Sequence, residues 1–385
     1  MNTEFSGVRL SQLMDWTHEA VLEDLARLAL RAPSRAEFFD EAAARLQRVL
    51  PHDGACWHTL DPGSDLVTEH RLQNIPDRFP LIAHNEYQVD DVNKFADLAR
   101  APHKAASLHE ATGGRLERSP RYRDLFAAGG IGAELRGAFV ADGATWGSVI
   151  MIRMSGQREF SREEIDLLDR ASALFARAVR RGLVTEATLA ASPPATAPGV
   201  LQFDRSGELE RASSTAEPLL EELSGTTAEQ GWRSPAVQAM ASATRQAIAA
   251  RASQLPSSAV KTPAGTWLVL HGALLGGDGV AVFIQRAHPT LIAPLLLRAY
   301  GLTSREQEVT QWLLRGATTA QAAQRLAISP HTVNEHVKAI YDKTGARTRG
   351  ELTATVFFGE HLPRIQSHVP VGDDASFIDA PRPRT

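Results

Sequence analysis

The chain has 385 residues, 43% hydrophobic and 22% charged, with a net charge of -4. That length exceeds one ordinary compact domain and predicts about two or three. The charge excludes a global basic field, so any affinity for nucleic acid must come from a local patch. A single cysteine, Cys56, excludes an internal disulfide framework and fits a reducing compartment. The N-terminus "MNTEFSGVRLSQLMDW" lacks the basic-then-apolar pattern of a signal peptide. No window approaches the roughly 20 apolar residues of a membrane span, so a cytoplasmic protein with no membrane partner is expected.

In chain order, residues 20–50 read as two helices. Ser34 caps the second, with Glu37 three residues on, and Phe38, Phe39, Ala42, Leu46 and Val49 follow at helical spacing. "GACWHTL" and "LVTEHRL" read as paired strands around the turn "DPGSD". Residues 74–130 are mixed and helix-rich. "ELRGAFVADGATWGSVIMIRM" reads as a hairpin turning near Asp142-Gly143, and the helix after it is capped by Ser161 and Glu164. "EATLAASPPATAPG", residues 186–199, is the clearest linker. "VLQFDRSGELERAS" predicts strand, turn and strand. Two helices follow, and "GTWLVLHGALLGGDGVAVFIQRA" closes the unit as a hairpin with a "GGDG" turn. The expected fold class is multidomain α+β with an all-α C-terminus.

Residues 302–358 carry the strongest signal. Thr303/Glu306, Thr318/Gln321 and Thr348/Glu351 are capping-box patterns. Ser329-Pro330 is a cap followed by a first-turn proline, and Gly316 and Gly345 sit where helices stop. A short alanine-bearing helix, the turn "AIS" and a third helix with Val333, Val337, Ile340 and Tyr341 inward make a helix-turn-helix pattern, in which the later helix enters the major groove.

"LTSREQEVTQWLLRGATTAQAAQRLAISPHTVNEHVKAIYDKTGARTRGEL" resembles the C-terminal DNA-binding domain of LuxR-family transcription regulators. The resemblance rests on "LTSREQEV", "AAQRLAISPHTV", "HVKAI", "KTG" and "RTRGEL". It implies a recognition helix from Pro330 to Thr344 that reads bases with His331, Asn334, Glu335 and Lys338; helical spacing independently puts these opposite Val333, Val337 and Ile340. Thr318, Thr319, Ser329, Thr332, Lys343, Arg347 and Arg349 would touch phosphate. Leu352 and Val356 on the fourth helix would form the dimer contact. His336 lies at the edge of the buried face, which favours packing or a backbone contact over base reading. Asn334-Glu335 departs from the lysine that many family members carry at the first of these positions. The pair is either solvated at the groove rim or reads adenine and cytosine. Seven Lys or Arg against five acids in residues 302–358 neutralise few phosphates per subunit, so two subunits on adjacent half-sites are expected.

Absences narrow what the front of the chain senses. No phospho-acceptor Asp stands in a receiver context, and no Gly-x-x-x-x-Gly-Lys-Ser/Thr occurs. "FFDEAAARLQRVLPHDGACWHTL" with "WGSVIMIRMSGQREFSREEIDLLDRASALFARAV" resembles GAF domains. "GVLQFDRSGELERASSTAEPLLEEL" with "GTWLVLHGALL" and "VAVFIQRA" resembles a degenerate PAS domain. The expected order is a helical lead-in (1–33), a GAF-like sensor (34–185), the linker (186–199), a PAS-like domain (200–288), a connecting helix (289–301), the helix-turn-helix domain (302–359) and a disordered tail (360–385). Both resemblances imply a pocket between sheet and helices. Trp57, Phe79, Tyr87, Phe95, Phe126, Leu135, Phe139 and Trp146 are the candidate lining in the GAF-like unit, with ordinary core packing as the alternative.

The expected function is a sequence-specific transcription regulator, dimeric and controlled by a small-molecule effector. The alternative is a ligand-independent regulator whose front domains serve dimerisation or protein interaction. Expected partners are double-stranded DNA, a second copy, the effector, and RNA polymerase if the protein activates. No nucleophile–base pair or metal-ligand spacing stands out, so no catalytic activity, metal or cofactor is expected.

Overall fold

The computed structural model describes residues 17–31, 34–187, 197–204, 206–275 and 279–357. The middle of the expected linker, the centre of the "GGDG" turn and the expected tail lie outside the described residues. Two five-stranded antiparallel sheets and a C-terminal group of helices make up the protein, the multidomain α+β architecture expected from the sequence.

The first sheet contains β1 (Gly54–Asp61), β2 (Leu66–Gln73), β3 (Ala105–Ser107), β4 (Ile131–Ala141) and β5 (Ala144–Met154), in the order β2-β1-β5-β4-β3. The β4–β5 turn puts Asp142 at φ 53° and Gly143 at φ 74°, the left-handed pair that a two-residue hairpin demands. Strand alternation decides which residue faces which layer. On β1, Ala55 and Trp57 face α2 (Arg35–Leu46) and α6 (Arg162–Ala187). Cys56 and His58 face the opposite layer, which holds α3 (Phe79–Gln88) and α4 (Phe95–Arg100). Within the lead-in, α1 (His18–Arg31) buries Val21, Leu22 and Leu25 in the same cluster as α6, so that helix shares the first domain's core.

Ser161 starts α6 as the sequence predicts: its hydroxyl accepts from Glu164 N at 3.3 Å, and Glu164 Oε2 accepts from Ser161 N at 2.8 Å. Glu164 is buried and also accepts from Arg153 at 2.7 Å and from Arg158 at 2.5 Å. Burial pushes its carboxyl up, but the bonds from Arg153, Arg158 and Ser161 outweigh that and leave it below the usual carboxylate range. The stability it contributes is therefore complete above its unfolded pKa, about 4.3, and is lost as pH falls through the depressed folded value. Urea unfolding between pH 7 and 3 should show this acid loss, and Glu164→Gln should flatten it.

The second sheet repeats the strand order as β7-β6-β10-β9-β8. Its members are β6 (Gly199–Phe203), β7 (Leu209–Ala212), β8 (Ser257–Lys261), β9 (Trp267–Leu274) and β10 (Val280–Arg286). One face is covered by α9 (Pro235–Ala249), with α7 (Ala216–Ser224) and α8 (Ala228–Trp232) beside it. A Cβ at Gly272 would collide with Thr244 of α9, so the glycine there permits the close helix–sheet approach. The two sheet domains pack directly: α3 lies against α9, and Gln88 Nε2 donates to Ser242 Oγ at 3.2 Å. β3 and β8 are short edge strands that the sequence does not announce.

The connecting helix α10 (Pro289–Ala299) has two allegiances. Ile292, Leu295, Leu296 and Ala299 are buried in the first domain's cluster, whereas Ala293 and Leu297 are buried in the C-terminal one. That C-terminal core is completed by α11 (Ser304–Leu314), α12 (Thr319–Leu326), α13 (Pro330–Thr344) and α14 (Arg349–Phe357).

Candidate nucleic-acid interface

The caps in this domain form as the sequence predicts. Thr303 with Glu306 and Thr318 with Gln321 make complete capping boxes. Ser329 Oγ accepts from Thr332 N at 3.0 Å at the start of α13, and Gly345 ends that helix at φ 73°. Between α12 and α13, Ala327 adopts φ 52°, a left-handed conformation more usual for glycine. Ile328 N then donates to Ala323 O at 3.1 Å, closing the end of α12 and aiming α13.

Val333 and Ile340 are fully buried and seat α13 against α11 and α12. Its outer side exposes His331, Asn334, Glu335 and Lys338, a stripe at spacings of three and four residues. His336 and Val337 are half-buried at the edge. Thr318, Thr332 and Arg347 are exposed near helix starts, and Thr319 is half-buried. Trp312 of α11 carries the guanidinium groups of Arg315 and Arg325 over its ring, at 5.2 and 5.4 Å.

Four expected residues have other work. Lys343 Nζ donates to Glu306 at 2.9 and 2.7 Å, tying the end of α13 to the start of α11. Burial pushes the Glu306 carboxyl up, but Lys343 and Thr303 hold it below the usual range. Arg349 donates to Ala317 O at 3.0 Å and to Leu313 O, binding the carbonyl end of α11 rather than projecting to a backbone phosphate. Leu352 and Val356 are 0% and 2% exposed. They pack into the domain's own core, where a partner subunit cannot reach them, and the expected dimer contact through them is corrected. The Glu306–Lys343 pairing spans 37 residues and two helices, and no local pattern signals it.

The eight pocket candidates of the first domain do not converge. Trp57, Leu135, Phe139 and Trp146 belong to the α6 side of the sheet. Trp57 stacks on Phe175 at 5.4 Å and on Phe39 at 5.5 Å, and Phe139 stacks on Phe175 at 4.7 Å, which fills that layer. Phe79 and Phe95 contact His58 from the other side; Tyr87 accepts from Val67 N at 3.0 Å; Phe126 is buried. One pocket lined by all eight is therefore corrected: alternation along β1 divides them between two packed layers.

That second layer holds a buried ionic network with no local sequence signature. Arg121 donates to Glu134 at 2.8 Å and to Asn85 at 3.3 Å, with Asp91 at 3.4 Å. Arg136 donates to Glu86 at 2.8 Å and lies 3.9 Å from the Phe95 ring centre. His58 Nδ1 sits 2.9 Å from Ser148 Oγ, and Cys56 Sγ 3.1 Å from His58 Nε2. Burial, then the charges of His70 and Arg136, pushes His58 well below the ordinary histidine range, and burial pushes the Cys56 thiol up. Both are neutral packing groups at physiological pH. Among the described residues no group of three or more His, Cys, Asp or Glu is placed to hold a metal ion. Among them, too, no helix is long and apolar enough to cross a membrane.

A capped short helix, a tight turn and a second helix with an exposed polar stripe define a helix-turn-helix DNA-binding domain. Residues 301–356 match the family described as bacterial regulatory proteins, luxR family. The chain thus carries a LuxR-family DNA-binding domain over these residues. Solved structures that match the chain include Escherichia coli SdiA, at 14% identity over 89% of this chain and 99% of that one, with a TM-score of 0.33. The ligand-binding domain of Pseudomonas aeruginosa VqsR matches at 17% identity over 41% of this chain and 95% of its own, with a TM-score of 0.30. The GAF domain of a Coxiella burnetii phosphoenolpyruvate-protein phosphotransferase matches at 14% over 42% and 92%, with a TM-score of 0.28. No curated protein matches the chain.

Proposed function

We propose that the protein is a dimeric, sequence-specific transcription regulator whose front domains pass an effector signal to the helix-turn-helix domain. The observation that carries it is the stripe His331, Asn334, Glu335 and Lys338, exposed on the outer side of a helix whose inner side is locked into the core. An asparagine side chain such as Asn334 pairs bidentately with adenine, and a carboxylate such as Glu335 accepts from cytosine N4. His331 and Lys338 share that base-reading face, where Lys338 also adds positive charge; Arg347 supplies phosphate charge, with Thr318, Thr319, Ser329 and Thr332 adding hydroxyl and backbone contacts near helix starts. RNA polymerase is a further partner if the protein activates.

Pairing explains the need for a dimer. Lys343 is held by Glu306, and Arg305 donates to Glu308 at 2.5 Å. Few cations of one domain are left for phosphate, and a second domain on a neighbouring half-site doubles their number.

Binding to selected operator DNA at several salt concentrations tests this. Lys338→Ala should weaken binding and reduce the salt slope by about one. Asn334→Ala should change base preference by at least about 1 kcal/mol. Lys343→Ala should instead cost about 1–3 kcal/mol of domain stability, by leaving buried Glu306 unpaired, and should leave the salt slope unchanged. No DNA selected by the wild type, or a base preference untouched in Asn334→Ala, would overturn this assignment of the stripe.

A further inference from the structure

A cavity of about 250 Å³ lies where the two sheet domains meet the connecting helix. Val269 and His271 on the face of the second sheet away from α9 line one side, Leu295 and Arg298 of α10 another, and Asp61-Pro62 at the end of β1 the third. We propose that this junction is the effector site, and that its ligand is a small zwitterion of the α-amino-acid type with an aliphatic side chain. The proposal rests on the effector reading above and gives it a place and a chemistry.

The polar groups set the class. Asp61 is 8% exposed, and its carboxylate accepts from Ser64 Oγ at 2.7 Å and weakly from Gly63 N at 3.5 Å. That leaves acceptor capacity for an ammonium group. Burial pushes the carboxyl up, and the bonds from Ser64 and Gly63 and the charge of Arg298 only partly offset that, so a further cation placed beside it gains from restoring the charged form. Arg298 Nη1 donates to Pro62 O at 2.8 Å, and a guanidinium has further donors suited to a carboxylate. A narrow inner recess shares the Asp61 and Leu295 walls, and there the buried indole N–H groups of Trp146 and Trp267 have no acceptor. An acidic acceptor at Asp61, donors from Arg298 and the two indoles, the hydroxyls of Ser257 and Ser258, and the aliphatic walls of Val269, Leu291 and Leu295 fit a molecule with a cation, an anion and an aliphatic chain. The volume lies below the roughly 300 Å³ at which drug-sized sites begin, which favours a ligand of amino-acid size.

Position supplies the coupling. Leu295 and Arg298 sit on α10, whose Ala293 and Leu297 are buried with the helix-turn-helix core. A ligand that prefers one seating of α10 therefore biases how that domain is held, to the extent of its differential affinity for the two seatings.

The test uses the full chain, with calorimetric titration of leucine, isoamylamine and 4-methylpentanoate. Leucine should bind, and each half-molecule should bind at least ~10-fold more weakly, since each lacks one charge-assisted contact. Asp61→Asn and Arg298→Gln should each weaken leucine by at least ~10-fold while keeping the unliganded melting temperature near wild type. Absence of binding by leucine, alanine, valine, isoleucine and methionine at millimolar concentration overturns the proposal, as does leucine affinity unchanged from wild type in both variants. Operator binding of the unliganded chain is measured alongside. Its loss counts against the regulator reading, whereas intact operator binding without amino-acid binding removes only this site.

Discussion

Replacing Arg121 with alanine is expected to destabilise the first domain by about 3–5 kcal/mol, because it leaves carboxylates buried without their partner. Arg121 is 1% exposed, and the side chains of Glu134 and Asp91 are fully buried. Burial pulls the guanidinium down, but Glu134, Asp91 and Glu86 outweigh that and hold it charged. The guanidinium also donates to Asn85 of α3 and to Val92 O, so its loss frees the α3 layer from the sheet. Urea denaturation followed by tryptophan fluorescence measures the effect, since Trp57 and Trp146 lie in this domain. A combined Arg121→Met, Glu134→Met, Asp91→Asn replacement should cost much less than Arg121→Ala alone, because it removes the buried carboxylate charges together with the guanidinium. Equal costs would mean that packing volume, not charge, is what Arg121 supplies.

Most of this network was invisible beforehand, and the reason is topological. Asn85, Asp91, Arg121 and Glu134 meet only after the segment between β2 and β4 folds back over the sheet, and in the chain each stands among ordinary surface-like neighbours. The C-terminal domain was legible because its signals are local. Caps lie three residues from their partners, and the α13 stripe repeats every three or four residues. Lys343, Arg349, Leu352 and Val356 have intramolecular partners on other helices, which no local pattern signals. Leu352 and Val356 carry the apolar character that an interface and a core share, and only the seating of α14 against α10 and α11 separates the two.

Trp57→Ala is expected to cost about 3–5 kcal/mol, the range for truncating a large aromatic side chain in a filled core. A tryptophan lining an open effector pocket would lose much less, because part of its surface would already face solvent or ligand. Trp57 is 0% exposed, lies between Phe39 and Phe175, and donates from Nε1 to Gln73 Oε1 at 3.0 Å. Truncation removes both stacked contacts and leaves an apolar hole between β1 and α6. Such a hole stays dry and admits small aromatic molecules. Indole added to Trp57→Ala should therefore recover part of the lost stability in thermal unfolding while leaving the wild type unchanged. A loss below about 1 kcal/mol would instead return this layer to the candidates for a ligand pocket. The full loss with indole rescue makes this layer structural and leaves the junction with α10 as the proposed effector site.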